Sequence, residues 1–193
     1  MFKAFEDFMA TEVKLRPEEI SQLLALATVR KLKRREVLLQ EGHICQYKAF
    51  ILDGLLKTGS VNDSGQEYVL RFNPENSWAV DPLSFSKKVP ARFSIDAVER
   101  TTVLLWTPSA FEELMTGIPA FKTYMSRLLM DTFYDTHERV KSNISYTSEE
   151  KYLDFVNTFP HLLPRLPLHL VAAYLGISRE TLSRIRHLQM KRG

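Results

Sequence analysis

The chain has 193 residues, of which 45% are hydrophobic and 25% charged, with a formal net charge of +3. That length supports one large domain or two small ones, and the apolar fraction is ample for a core. The single cysteine, Cys45, excludes an intrachain disulfide and a thiolate-held cluster within one chain, and no apolar run approaches the ~18 residues of a membrane span.

The opening stretch from Met1 to Glu12 carries acids where a signal peptide needs a basic region and then an apolar run. The expectation is a cytoplasmic chain with no membrane partner. Residues 1–29 read as helical, with Pro17 opening a turn and Ile20, Leu23, Leu24 and Ala27 forming one stripe. No site is visible there, and the helix is expected to pack on the β-rich segment after it.

From Lys31 to Trp106 the apolar period becomes strand-like. Short β-rich runs, residues 35–40, 47–52, 55–61, 67–72, 92–98 and 101–106, are separated by turn residues such as Asp53-Gly54 and Asn62-Asp-Ser-Gly65. Many short strands at even spacing predict an antiparallel sandwich or jelly roll. The connection from Ser77 to Ala91 breaks the rhythm, and Pro82 within it can start a short helix.

Residues 109–115 predict a short helix. From Ala120 to Asn143 neither proline nor glycine interrupts a helical pattern that carries Phe121, Tyr124, Met125, Leu128, Leu129, Phe133, Tyr134 and Val140. At ~1.5 Å per residue this helix runs about 36 Å. It is apolar around more than one face, so one face can cover the roll while another meets a second copy across a twofold axis. The alternative is a core helix within one subunit. Thr147 then caps a helix with Glu149 and Glu150 in its first turn, and Pro160, Pro164 and Pro167 punctuate the approach to the last segment.

In that last segment Val171 and Leu175 share one helical face, and Leu182 and Ile185 share another. Gly176 permits the reversal between them, and Ser178 is a good N-cap for the second helix. This is the pattern of a helix-turn-helix, whose second helix enters a DNA major groove. Its polar face holds Arg179, Glu180, Ser183 and Arg184, with Arg186 and His187 beyond. Arginine reaches guanine with two hydrogen bonds and glutamate accepts from cytosine, while the hydroxyls of Ser178 and Thr181 suit phosphate oxygens. Charge agrees, because residues 161–193 hold six Lys/Arg against the single acid Glu180, a net of +5 that leaves residues 1–160 at −2. The bland alternative is a solvated helix hairpin packed on another core.

Ile177-Ser-Arg-Glu-Thr-Leu-Ser-Arg-Ile185 resembles the recognition helix of the CRP/FNR transcription regulators. The resemblance implies that Arg179, Glu180 and Arg184 contact bases and that Ser178 and Thr181 contact phosphate. It also implies an α+β chain in three parts. These are a jelly roll of the cyclic-nucleotide-binding kind with its N-terminal helix (1–118), a long dimerisation helix and hinge (119–146), and a helix-turn-helix domain (147–193). Only six residues follow His187 and residues 159–166 lack a hairpin signature, so that domain is expected to be almost wholly helical with a reduced or absent wing.

Cyclic-nucleotide binders of this family carry a Gly-Glu pair, a short helix and then an Arg-Ser pair. Here Val80-Asp81 and Ala91-Arg92 stand in those places. An arginine moved by one position along a strand points to the opposite face, so tight cyclic AMP binding is not expected and no cofactor is assigned. Asp81, Pro82 and Arg92 are the residues to watch if an effector exists.

The five histidines show no metal-ligand spacing, and neither a nucleophile elbow nor a phosphate-binding glycine loop occurs. No catalytic or metal-ligating set is assigned, and the chain reads as no enzyme. The expected partners are double-stranded DNA and a second copy of the chain, with RNA polymerase admitted as a further contact. The rival reading is a small-ligand-binding signalling module of the same fold whose terminal helices serve protein contacts.

Overall fold

The computed structural model describes residues 2–192, and among them eight helices and eight strands alternate as an α+β chain. Two helices, α1 (Lys3–Thr11) and α2 (Pro17–Ala25), precede the strands β1 (Thr28–Leu32), β2 (Val37–Leu39), β3 (Lys48–Asp53), β4 (Leu56–Val61), β5 (Glu67–Asn73) and β6 (Trp78–Ala79). A short α3 (Pro82–Lys87) separates these from β7 (Ser94–Ala97) and β8 (Thr101–Trp106). Then come α4 (Pro108–Gly117), α5 (Pro119–Ser145), α6 (Ser148–Thr158), α7 (Leu168–Leu175) and α8 (Arg179–Arg192).

The strands form two four-stranded sheets, ordered β1-β8-β3-β6 and β2-β7-β4-β5. Pairing is antiparallel between β1 and β8, β8 and β3, β3 and β6, β2 and β7, and β7 and β4. The expected jelly roll is therefore present. Its interior is filled by Leu32, Leu39, Ala49, Ile51, Leu56, Ala79, Ile95, Ala97, Val103 and Leu105. Strands β3 and β8 are buried on both faces, because their alternate residues Phe50, Leu104 and Trp106 join a second core with α1, α4 and α5. In that second core Phe5, Phe50, Trp78, Trp106, Phe111 and Phe121 meet at ring-centroid distances of 5.0–6.1 Å. Both indole N–H groups are satisfied: Trp106 donates to the Leu23 carbonyl at 2.9 Å and Trp78 to the Tyr124 hydroxyl at 3.2 Å.

Several boundaries differ from the sequence expectation, each for a local reason. Of the stretch expected to be helical, residues 2–29 hold two helices and the start of a strand, because Lys14 takes φ 59° and Pro17 restarts the helix. The strand expected at 35–40 is only Val37–Leu39, since Arg35 sits at φ 67° in the preceding turn. Arg92 lies ahead of β7 and not within it. At Gly54, φ +96°, any Cβ would collide with the Arg100 carbonyl and the Thr101 hydroxyl, so only glycine fits that turn.

The chain divides into two compact units. One comprises residues up to Ser60 together with Arg71–Leu129; the other comprises Val61–Leu70 and the chain from Met130 on. The hairpin tip between β4 and β5 thus folds with the C-terminal helices, and α5 passes from one unit into the other.

Candidate nucleic-acid interface

Within the C-terminal unit the helices pack on a core of Tyr152, Phe155, Leu162, Leu166, Leu170, Val171, Ala172, Leu175, Leu182 and Ile185. Helix α6 starts with a reciprocal cap: the Thr147 hydroxyl accepts from the Glu150 N–H, and the Glu150 carboxylate accepts from the Thr147 N–H at 2.7 Å. The Thr147 N–H and, at 2.8 Å, the Thr147 hydroxyl both donate to the Glu150 carboxylate and hold it below its ordinary range. Helix α7 ends at Gly176, left-handed at φ 67°, whose N–H and that of Ile177 both turn back to the Ala172 carbonyl.

Ser178 then caps the second helix, its Oγ accepting from the Thr181 N–H and donating to the Thr181 hydroxyl, both at 3.1 Å. Leu182 and Ile185 are buried against the core, which fixes the rotation of α8 about its axis. That rotation leaves Arg179, Glu180, Ser183, Arg184, Arg186 and His187 exposed along one side, and Thr181 partly covered at its edge. Neither Arg179, Arg184 nor Arg186 has an ion-pair partner among the described residues. The Glu180 carboxyl is held below its ordinary range by the N–H of Glu180 itself, by Ser178 and by the charge of Arg179, so it is an acceptor near neutral pH. A hollow of about 220 Å³ at the base of this face is lined by Leu168, Ser183, Arg186, His187 and Met190.

The surface of α5 is equally specific. Leu129, Phe133, Val140 and Ile144, spaced for one face of a helix, are exposed, Ile144 by 81%, and Met130 and Tyr134 adjoin them. Single exposed apolar side chains are ordinary, whereas several on one helix face, here interrupted by Thr136 and His137, suit an interaction surface.

At the candidate effector position the residues Asp81, Pro82 and Arg92 do not converge. The Asp81 side chain is buried as the N-cap of α3, accepting from the Ser84 N–H at 2.9 Å and, by its other oxygen, from the Arg92 N–H at 3.4 Å. Pro82 occupies the first turn of α3 and is exposed, and the Arg92 side chain is exposed as well. The Ser84 hydroxyl, which sequence reasoning passed over, accepts from the Cys45 N–H at 2.8 Å and donates to the Val89 carbonyl at 2.6 Å. Burial pushes the neighbouring Cys45 thiol up. A phosphate approaching the start of α3 would meet a carboxylate already bonded to the Ser84 amide.

An antiparallel roll, a long helix with an exposed apolar face and two terminal helices joined by a turn at Gly176 follow one another along the chain. Residues 29–117 match the family model of the cyclic nucleotide-binding domain. The fold is shared with FixK2 from Bradyrhizobium japonicum (TM-score 0.76, 16% identity, 86% of each chain covered). It is shared also with CLP from Xanthomonas campestris, a c-di-GMP responsive global regulator (TM-score 0.77, 14% identity, 91% of this chain and 93% of that one). The catabolite activator protein of Thermus thermophilus aligns at 22% identity with TM-score 0.58, over 93% of this chain and 85% of that one. No curated protein matches the chain by sequence. Among the described residues no helix is long and apolar enough to cross a membrane.

Proposed function

We propose that this chain is a homodimeric, sequence-specific DNA-binding transcription regulator of the CRP/FNR type that reads its operator through α8. The observation that carries the reading is the exposed row Arg179, Glu180 and Arg184, none of them in an ion pair, on a helix whose opposite side is locked by buried Leu182 and Ile185. A rigid element bearing free bidentate donors is what base-edge recognition requires. Arg179 and Arg184 are assigned to guanines, Glu180 to a cytosine amino group, Ser178 and Thr181 to phosphate, and Ser183 and Arg186 to the flanks of the contact.

The apolar row on α5 is assigned to a twofold contact with a second copy, which places two recognition helices on half-sites about 34 Å apart. The commitment of Asp81 and Ser84 to α3, with Arg92 turned out to solvent, supports a regulator without tight cyclic AMP binding.

Selection of bound sequences from a random duplex pool tests the reading. The expected product is a pseudo-palindrome with G·C-bearing half-sites one helical turn apart. Recovery of no enriched sequence, with binding that depends on salt alone, overturns it.

A further inference from the structure

We propose that Arg139, on α5, is the positioning residue that ties the helix-turn-helix to the β4–β5 hairpin. One guanidinium nitrogen, Nη2, donates to the Val69 carbonyl at 2.7 Å and to the Tyr174 carbonyl at 2.9 Å. The guanidinium carbon lies 3.8 Å from the centre of the Tyr174 ring, which in turn packs against Phe155 and Phe159. The bonds reach 70 and 35 residues along the chain, to Val69 and Tyr174 in turn.

Both carbonyls lie where the regular backbone ladder gives out. Strand β5 is the edge of its sheet, so its outward groups must look beyond the ladder for partners. Tyr174 lies in the last turn of α7, where carbonyls face the same need, and Gly176 and Ile177 both give their N–H groups to Ala172 instead. A cation at a helix C-terminus is favoured by the dipole as well. No carboxylate pairs with Arg139 among the described residues. Its planar guanidinium can donate twice and stack at once, which a lysine cannot reproduce.

Strands β4 and β5 run from the roll unit into the C-terminal unit, so the hairpin is covalently part of both. With Arg139 in place, the hairpin tip and the turn that aims α8 form one body. Any signal that shifts the hairpin then reaches the recognition helix. This inference rests on the DNA-binding reading for its consequence, but not for its geometry.

Arg139→Ala, Arg139→Lys and Tyr174→Leu in the full chain test it, read by hydrogen exchange and by operator affinity. In Arg139→Ala, amides of residues 61–70 and 168–177 are expected to exchange at least tenfold faster together, while those of β8 keep their wild-type rate. Operator affinity is expected to fall about tenfold with unchanged base preference, and Arg139→Lys to recover part of both effects. Tyr174→Leu keeps the carbonyl bond and loosens the same two segments less, which preserves the test if Arg139→Ala fails to fold. Wild-type exchange in both segments, or loosening of only one, overturns the latch. Coupled loosening in a protein that selects no DNA sequence sustains the latch and refutes the function.

Discussion

Around α3, the polar groups nearest the helix start are already in use: Asp81 holds two N–H groups and the Ser84 hydroxyl is shared between Cys45 and Val89. Along α8, Arg179, Arg184 and Arg186 project from the surface with no ion-pair partner among the described residues. Both regions contain charged residues near a helix start, yet the first spends its hydrogen-bonding capacity on holding a connection in place. The second holds its backbone with an uncharged cap, Ser178, and leaves its charges available. A structural polar cluster differs from a recognition face in whether its side chains are committed, and residue type alone does not show it.

The strongest test of this contrast is Arg184→Ala. Because the side chain is exposed, melting should stay within ~0.5 kcal/mol of wild type, while operator affinity falls by about 1–3 kcal/mol with relaxed preference at one or two base pairs, measured by fluorescence anisotropy on substituted duplexes.

A partly buried cation held against aromatic rings should behave in the opposite way. Lys48 lies with its ammonium 4.4 Å from the centre of the Phe111 ring and 5.6 Å from that of Trp78, and burial pulls its pKa down to about 8. Its folded value lies below its unfolded one, so the folded chain binds fewer protons and stability rises as pH climbs from about 8 towards 10.5. Lys48→Met should remove that rise and stabilise the roll near pH 7 by roughly 2 kcal/mol, read from denaturant melts across this range.

Asp81→Ala should cost about 1 kcal/mol of stability through loss of the α3 cap, with operator affinity unchanged. The smallest effect belongs to cyclic AMP itself. A ligand with a Kd of ~10 µM would add about 2.7 kcal/mol at ~1 mM, and no shift in melting is expected here; a shift of that size would show that α3 releases its internal partners for a nucleotide.

Elements whose signals are local were legible from the sequence. Gly176 ends α7 in the left-handed region, Ser178 caps α8, and Thr147 with Glu150 closes a capping box, since each motif needs only three or four neighbouring residues. The roll was legible from strand spacing, and residues 103–106 form an unbroken apolar run because both faces of β8 are covered there. Strand β1 was not, because Arg30 and Lys31 on a sheet edge mask its pattern, as charges on edge strands commonly do. Two-residue β6 is too short to show any period. Arg139 gave no local signal at all, its partners being Val69 and Tyr174 in distant segments. The exposed apolar row of α5 could be anticipated as far as Val140, whereas Ile144, the most exposed of the row, fell in the stretch read as a hinge.

Whether the Arg184 guanidinium reads a base is decided most sharply by a double-mutant cycle. Wild type and Arg184→Ala are titrated with the selected operator and with a duplex in which the assigned G·C pair is replaced. The replacement is expected to weaken the wild type by about tenfold or more and the variant hardly at all, a coupling of at least ~1.4 kcal/mol. Equal losses in both proteins, giving no coupling, would show that this arginine touches no base edge.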